Sequence, residues 1–302
     1  MNLIYIITNK CNFSCLYCRT LKKEQSISEK IIKESLKLFR ILDIDKVKFF
    51  GGEPLIEFEK LKMISKNLAP NKISLYLTTN GSLINKEIIN WINENRINLN
   101  LSLDGSELIT RKYRKGIYNY KKLVFLKDSL SEKITVNMVI CPETAKYLFQ
   151  SFKFLVANNF EKINLLPAYF NDWQFMQLES LKKNLNLIIK FLKTNRLKIF
   201  FQNIENYSQI SFFNEAVVID VDGQVYSNNS LLIELLNKYK QKFLIGNIFD
   251  KDIINKIKKY KFGDDAKKLN YIIPLKFKEV NSQLDKSINN FVNSYKKIKY
   301  EE

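Results

Sequence analysis

The sequence predicts an α/β protein: a partial (β/α)6 barrel of the TIM type, followed by a small α+β extension. Short apolar runs alternate with longer segments of helical period, which is the pattern of parallel βα units. The chain has 302 residues, 46% of them hydrophobic, and is therefore long enough to bury a large core. Because the alternation stops after a sixth strand, we divide the chain into a barrel, residues 1–175, and an extension, residues 176–302.

The barrel strands are predicted from β-branched and aromatic runs bounded by turn residues. These runs are Leu3–Thr8, Lys46–Phe50, Ile73–Leu77, Ile97–Leu103, Thr135–Ile140 and Lys162–Leu166. Between them lie segments of helical length. Ser28 is suited to cap the first helix, and Leu83–Asn95 repeats its apolar residues at helical spacing.

The extension does not continue the alternation of strands and helices. A long helix near Leu178–Lys193 precedes a short strand at Ile199–Gln202. A hairpin follows, in which Ala216–Asp220 and Gln224–Tyr226 flank an Asp222-Gly223 turn. Asp-Gly between two apolar runs is a strong local signal for a two-residue hairpin turn.

Three cysteines at C-x3-C-x2-C spacing, Cys11, Cys15 and Cys18, follow the first strand directly. Structural zinc takes four ligands, whereas the chain has no histidine and only one further cysteine, Cys141. A [4Fe–4S] cluster held by three thiolates leaves one iron open to a small molecule. Loop cysteines without metal, or a partial zinc site, are the alternatives.

Further motifs follow the next three strands. Active-site groups of TIM-type barrels gather at the C-terminal ends of the strands. The motifs predicted to meet the cysteines there are Gly51-Gly52-Glu53-Pro54, Thr78-Thr79-Asn80-Gly81 and Ser102-Leu103-Asp104-Gly105. Glycines allow the backbone to approach a ligand closely, and proline stiffens a turn. Each motif alone is ordinary turn chemistry, but their common position predicts a site.

The cysteine motif, with Tyr17 at its aromatic position, resembles the signature of the radical S-adenosylmethionine (radical SAM) enzymes. The resemblance implies a [4Fe–4S] cluster on Cys11, Cys15 and Cys18, with S-adenosylmethionine on the open iron. It also implies reduction by an external donor of flavodoxin or ferredoxin type. The 5′-deoxyadenosyl radical so formed would abstract a substrate hydrogen.

The same resemblance assigns contacts to S-adenosylmethionine. Its ammonium is expected at the Gly-Gly-Glu-Pro run, and its carboxylate at Ser102 and Arg114, which stand at the interval of the peptide- and protein-modifying branch. A guanidinium suits a carboxylate because its planar fork donates two parallel hydrogen bonds. The predicted cofactor-binding residues are Tyr17, Gly51, Gly52, Glu53, Pro54, Asn80, Ser102, Asp104, Arg114 and Leu165. The alternatives are a turn role for the Gly-Gly-Glu-Pro run, Asn80 and Asp104, a surface position for Arg114 and core packing for Leu165.

The hairpin region is similar to the SPASM or twitch extension of that branch, through Val218–Tyr226 and Ile245–Ile248. In that pattern a cysteine follows two residues after the hairpin's D-G-x-V-Y, and here the position is Asn228. The aspartate that serves as a base in sulfatase-maturating relatives is replaced by Asn229. Because no cysteine lies beyond Cys141, the extension is expected to lack auxiliary clusters, and formylglycine formation is not supported.

Two further features admit a functional or a packing interpretation. Cys141 ends the fifth strand, where a thiol suits hydrogen-atom donation in an epimerase-like reaction, although an isolated cysteine is commonly a small buried hydrophobe. The aromatic residues after the sixth strand would line a peptide groove or belong to the core. They are Tyr169, Phe170, Trp173 and Phe175.

The leading hypothesis is a radical SAM enzyme that modifies a peptide or protein, as maturases of ribosomal peptides do. Since the cluster motif begins at Cys11, leader recognition is expected from a separate protein or from the extension. The net charge of +18, 49 basic against 31 acidic residues, suits RNA modification as an alternative but is also explained by solvated helix faces. A catalytically silent scaffold is the third hypothesis.

Other classes are less compatible with the sequence. Without histidine, a Ser-His-Asp or Cys-His arrangement cannot form. The first apolar run is too short to span a membrane and lacks the flanks of a signal peptide. Three cysteines that must remain reduced suit the cytoplasm, which is the expected location.

Overall fold

The computed structural model describes residues 1–68, 73–117, 119–131, 134–201 and 215–300. Within these ranges one sheet contains nine strands in the order β6-β5-β4-β3-β2-β1-β7-β8-β9. The strands are β1 (Asn2–Thr8), β2 (Lys46–Gly51), β3 (Ser74–Thr79), β4 (Asn98–Ser102), β5 (Thr135–Ile140), β6 (Lys162–Pro167), β7 (Glu215–Ile219), β8 (Gln224–Asn228) and β9 (Leu244–Asn247).

Strands β1 to β6 pair in parallel with their neighbours in sequence. Each connection contains helix, as parallel crossovers require. The helices are α1 (Glu29–Ser35), α2 (Phe58–Leu68), α3 (Lys86–Glu94), α4 (Glu107–Arg114), α5 (Tyr120–Ser129), α6 (Leu148–Ala157), α7 (Phe175–Thr194), α8 (Glu234–Asn237), α9 (Ile253–Lys259), α10 (Asp265–Ile272) and α11 (Leu275–Tyr300). The predicted α/β class and partial barrel are confirmed.

Local capping explains where the first helices begin. The hydroxyl of Ser28 accepts a hydrogen bond from the Ile31 amide at 3.3 Å, so α1 begins at the predicted place. Helix α3 begins at Lys86, later than the predicted Leu83, because the Asn85 side chain accepts from the Ile88 amide at 2.9 Å. An asparagine in this position satisfies one of the amides that a helix start leaves unpaired.

The predicted hairpin is present, but it does not form a separate sheet. Strands β7 and β8 pair antiparallel, and Gly223 takes a φ of +82° in their turn. Strand β7 also pairs in parallel with β1, Leu3 lying opposite Val217, so the hairpin continues the barrel sheet. The division of the chain after residue 175 remains a prediction.

The predicted strand at Ile199–Gln202 is reduced to an isolated bridge between Phe200 and Lys162. The Ile163 amide donates to the Phe200 carbonyl at 2.9 Å, which attaches this segment to the outer side of β6. Gln202 lies outside the described residues.

Strand β1 is buried on both faces. Its odd-numbered residues, such as Leu3 and Tyr5, belong to the main hydrophobic core beneath the barrel helices. Ile4 and Ile6 face a second core that includes residues of the extension, such as Tyr226. Because both faces are covered, β1 is a continuous apolar run, as buried parallel strands are. In the part of the chain that the structure describes, no helix has the length and apolar composition needed to cross a membrane.

Candidate active site at the strand ends

A cavity of about 330 Å³ opens at the C-terminal ends of the parallel strands. Its volume lies within the range of small-molecule sites, roughly 300–1,000 Å³. Most of the predicted site residues line it: Cys11, Cys15, Tyr17, Cys18, Gly51, Gly52, Glu53, Asn80, Ser102 and Arg114. Four predicted residues are not part of the lining among the described residues, namely Pro54, Asp104, Cys141 and Leu165.

The cysteine loop has a fixed backbone. The Leu16 amide donates to the Tyr113 carbonyl at 2.9 Å, and the Cys18 amide donates to the Cys15 carbonyl at 3.1 Å. The three cysteines are partly buried. Burial raises the pKa of Cys11, and it raises the pKa of Cys15 to about 11 although nearby Arg114 opposes the shift. The loop therefore presents three preformed thiols to one cavity.

These thiols suit a cluster better than a single ion. Across the described residues, no three Cys, Asp or Glu side chains are grouped closely enough to hold one metal ion. A four-iron cluster binds each thiolate through a different iron, so its ligands are spread more widely. The donor set also matches, because iron–sulfur clusters are held by cysteine thiolates.

Gly51 and Gly52 are required by the neighbouring backbone. A Cβ atom on Gly51 would lie 2.2 Å from the Thr8 carbonyl oxygen, and one on Gly52 would lie 2.0 Å from that of Lys10. The Gly52 and Glu53 amides donate to these same two oxygens, each at 2.8 Å. The glycines thus dock β2 against the start of the cysteine loop, whereas the sequence interpretation attributed them to close approach of a ligand.

Glu53 organises two neighbouring loops. Its buried carboxylate accepts hydrogen bonds from the Thr79 hydroxyl at 2.7 Å, the Asn80 amide at 2.7 Å and the Leu55 amide at 3.1 Å. Burial raises the pKa of Glu53 to about 7, although these hydrogen bonds oppose the shift. Pro54 is also buried, at the start of a 3-10 turn that Glu53 caps.

Asp104 lies beneath the cavity and connects three strand ends. Its carboxylate accepts from the Tyr17 hydroxyl at 2.5 Å, from Arg114 Nη2 at 2.6 Å and from the Val139 amide at 3.0 Å. The Arg114 and Asp104 side chains are 5% and 0% exposed, so the ion pair is buried. Asp104 therefore joins the cysteine loop to Arg114, which fixes the guanidinium at the cavity wall.

Asn80 links the third strand end to the cysteine loop. Its side-chain amide donates to Asn12 Oδ1 at 2.8 Å, and its Oδ1 accepts from the Ser82 amide at 2.9 Å. Leu165, predicted at the adenine, is instead part of the main hydrophobic core. Ser102 lines the cavity at the end of β4.

Cys141 lies in a small buried cluster with Tyr17, Tyr113 and Ala168. It is 0% exposed, and its Sγ accepts from the Thr144 hydroxyl at 3.4 Å. Burial raises the pKa of its thiol to about 12. This position supports the packing interpretation and gives no support to a hydrogen-atom donor facing the cavity.

We expect Cys141 to resist alkylation in the folded, metal-free chain. Iodoacetamide should modify Cys11, Cys15 and Cys18 at least about tenfold faster than Cys141, because reactivity needs an accessible thiolate. Mass mapping of the labelled peptides measures the ratio, and labelling in urea supplies the control in which all four react. Equal labelling in the folded chain would contradict the buried position.

A second expectation concerns Glu53 and pH. Between about pH 4.5 and 7 the folded chain keeps a proton on Glu53 that the unfolded chain has released. The free energy of unfolding should therefore fall as the pH rises through this window, by on the order of 3 kcal/mol. Urea unfolding of the metal-free chain at several pH values should show this slope, and Glu53→Gln should flatten it. Parallel slopes for the two proteins would contradict the assignment.

Several lining residues were missed by sequence reasoning. They are Phe13, Arg19, Thr20, Phe50, Val139, Ala168 and Ile233. Ile233 comes from the extension, and the Leu21 amide donates to the Leu232 carbonyl at 3.0 Å beside it. Only the fold brings this loop to the segment that follows Cys18. Arg19 could have been predicted from the sequence, because it is a cation directly after the cluster motif.

The aromatic residues after β6 divide between the cavity and the core, since Phe170 and Trp173 belong to hydrophobic core clusters. Tyr169 and Phe170 line the cavity, with Phe170 at a left-handed φ of +61°. Trp173 is buried and its Nε1 donates to the Ala168 carbonyl at 2.9 Å, which shapes the same loop. Phe175 is exposed at the start of α7. The cavity therefore has one aromatic wall, contributed by the loop after β6.

Asn228 is buried in a polar cluster centred on Asp265. The Asp265 carboxylate accepts from the Tyr260 hydroxyl at 2.8 Å, from Lys268 Nζ at 3.1 Å and from Asn228 Nδ2 at 3.3 Å. Ser227 also bonds this carboxylate. Asn228 stands where the sequence pattern has a metal-ligating cysteine, and its side chain is fixed there by a hydrogen bond to Asp265.

Comparison with known proteins gives a consistent family. A family model described as the radical SAM superfamily matches residues 5–155, half of the chain. An uncharacterized protein of Methanocaldococcus jannaschii is 27% identical over 85% of this chain and 91% of its own length. A probable GTP 3′,8-cyclase of Methanocella arvoryzae is 34% identical over 33% of each protein.

The radical SAM cyclopropyl synthase TigE of Paramaledivibacter caminithermalis is 25% identical over 56% of this chain. This chain spans 42% of TigE and, as above, a third of the Methanocella cyclase. Among solved structures, anSMEcpe with bound AdoMet and the Cp18Cys peptide has a TM-score of 0.71 at 20% identity, over 87% of this chain and 81% of its own. Streptococcus suis SuiB bound to precursor peptide SuiA has a TM-score of 0.59 at 14% identity, over 86% and 67%. These structural likenesses show the fold.

Proposed function

The chain belongs to the radical SAM superfamily, and on that premise we propose that it abstracts a hydrogen atom from a peptide or protein substrate. Superfamily membership brings S-adenosylmethionine and a [4Fe–4S] cluster as cofactors, and it supports an enzyme. When bound, these cofactors supply a 5′-deoxyadenosyl radical. A reactive species of this kind needs a walled site and a substrate held beside it.

We assign the cluster to Cys11, Cys15 and Cys18, because these thiols reach one cavity from a loop whose backbone is fixed. Ser102 and Arg114 are assigned to the carboxylate of S-adenosylmethionine. Asp104 orients Arg114, which lines the same cavity. The Gly51-Gly52-Glu53 segment, which lines the same cavity, is assigned to the ammonium.

The observation that carries the proposal is the convergence of these groups on one cavity that also has an aromatic wall. Tyr169 and Phe170 line this cavity from the loop after β6, with Phe170 only 4% exposed. Aromatic surfaces of this kind bind extended peptides well, because they offer large contact area. The two peptide-bound neighbours support this substrate class.

We infer that the extension is a SPASM- or twitch-like segment without auxiliary clusters. In support, its hairpin extends the barrel sheet, and the Asn228 position is held by the polar cluster around Asp265. The loop after this hairpin places Ile233 in the cavity. On this proposal the extension shapes the substrate side of the site. An electron donor and a leader-binding protein would be separate partners.

The test needs a candidate peptide, for example one translated from a short open reading frame next to the gene, synthesised with deuterium in place of its carbon-bound hydrogens. We expect the cluster-loaded, reduced protein to transfer deuterium into 5′-deoxyadenosine and to change the peptide's mass. Deuterium-free 5′-deoxyadenosine together with an unmodified peptide would contradict hydrogen abstraction from that substrate. The undeuterated peptide is the matched control.

A nucleotide or RNA substrate is the second candidate. The similarity to GTP 3′,8-cyclases favours it, as does the net charge of +18. Binding to RNA should then weaken steeply as salt increases, because phosphate contacts release counterions. Deuterium transfer from labelled GTP or RNA, in the same assay, would favour this candidate over a peptide.

A further inference from the structure

Two arginines, Arg19 and Arg114, line the cavity, and their surroundings differ. It lines the wall directly after Cys18, and its side chain is exposed. It takes part in no ion pair among the described residues, whereas Arg114 is paired with Asp104. The carboxylate of Glu53 already accepts three hydrogen bonds, one from its own turn and two from the end of β3.

The structure holds Arg19 in place from two sides. Arg19 Nη2 donates to Asn171 Oδ1 at 3.0 Å. Asn171 is only 6% exposed, and its own amide group donates to the Tyr169 carbonyl at 3.1 Å and the Ala168 carbonyl at 3.4 Å. The Asn171 oxygen is therefore directed at Arg19 by the loop after β6. On the other side, the Glu234 amide donates to the Arg19 carbonyl at 2.8 Å.

The neighbours of Arg19 distinguish its wall from the one assigned to S-adenosylmethionine. Ser102 and Arg114 lie at the end of β4 and in α4. Arg19 instead touches the loop after β6 and the extension, close to Tyr169, Phe170 and Ile233. A substrate on this wall would meet apolar surface and one guanidinium. That combination suits an aromatic or aliphatic residue next to a carboxylate.

We propose that Arg19 binds a carboxylate of the substrate and thereby selects acidic peptide segments. The proposal rests on the peptide substrate proposed above. The Asn171 side chain is neutral, so its hydrogen bond to Arg19 leaves the charge of the guanidinium uncompensated. The other N–H groups of this guanidinium can donate charge-assisted hydrogen bonds to a carboxylate. A carboxylate bound here would lie next to the cluster loop, which fixes the position of the neighbouring peptide carbon atoms.

The test uses a pool of synthetic octapeptides with randomised flanks, each containing Phe followed by Asp, Asn or Lys. Cluster-loaded protein with S-adenosylmethionine is mixed with the pool, and retained peptides are counted by mass spectrometry. We expect about tenfold enrichment of Asp over Asn, the ratio that about 1.4 kcal/mol produces. Arg19→Gln should abolish this preference, and Arg19→Glu should turn it toward Lys. Arg40→Gln, which removes an exposed arginine outside the cavity, should leave it unchanged.

The outcomes separate the two proposals. Retention of peptides without a charge preference, or a preference that survives Arg19→Gln, would overturn the role of Arg19 alone. Retention of no peptide by the native protein would overturn the peptide substrate and the carboxylate assignment with it. Arg19 could instead bind the carboxylate of S-adenosylmethionine, and calorimetry with this cofactor tests that role. A tenfold weaker affinity in Arg19→Gln would assign Arg19 to the cofactor and overturn the proposal.

Discussion

Asp104→Ala should destabilise the protein by about 3–5 kcal/mol, the cost of removing one partner of a buried ion pair. The substitution leaves the guanidinium of Arg114 buried beside a cavity and removes the acceptor of the Tyr17 hydroxyl and of the Val139 amide. If Arg114 holds the carboxylate of S-adenosylmethionine, affinity for this cofactor should fall as well. Urea unfolding and calorimetric titration measure the two effects.

Two smaller changes at the same place act as controls. Asp104→Asn keeps an oxygen for Arg114 and for the Val139 amide but removes the charge, so its cost should be lower. Tyr17→Phe removes one hydroxyl and should cost about 1 kcal/mol, as single hydrogen bonds do. An Asp104→Ala protein that unfolds at the native urea concentration would show that Asp104 does not join these loops.

Gly52→Ala should be among the most damaging additions of a single methyl group in the barrel. Its Cβ would lie 2.0 Å from the Lys10 carbonyl oxygen, and the obstacle is backbone, so β2 and the cysteine loop must separate. Overpacking costs roughly 1–3 kcal/mol and occasionally more. Lys10 precedes Cys11, so we also expect fewer than four irons per chain after anaerobic reconstitution. Iron content and thermal unfolding measure these effects.

Gly263→Ala is the matched control, because no atom lies within 4 Å of its added Cβ. It adds the same methyl group in a short 3-10 segment of the extension. Its stability should stay within about 0.5 kcal/mol of the native value, as at most surface positions. Equal effects of the two alanines would contradict the close docking of Gly52.

The barrel could be predicted because each of its strands is a local apolar run and each helix has a local period. Strand β5 was placed at its observed bounds, Thr135–Ile140, from its sequence alone. The pairing of β7 with β1 could not be predicted from the sequence, because the two strands are far apart in the chain and an apolar run does not indicate which strand it pairs with. The hairpin therefore looked like a separate unit.

The site was predictable to the extent that its residues occur in short motifs. The cysteines and the residues after β2, β3 and β4 were placed together because the ends of parallel strands share one rim. The function of Asp104 was not visible, because its partners Tyr17 and Arg114 come from different loops. Ile233 was missed for the same reason: only tertiary packing brings the loop after β8 to the cysteine loop.

The most direct test of the account is 5′-deoxyadenosine formation from S-adenosylmethionine by the anaerobically reconstituted, dithionite-reduced protein. The matched control has Cys11, Cys15 and Cys18 all changed to Ala. We expect product from the native protein, with four irons and four sulfides per chain, and none above background from the triple variant. A native protein that holds no iron, or a triple variant that forms the product equally well, would contradict the assignment of the cluster to these cysteines.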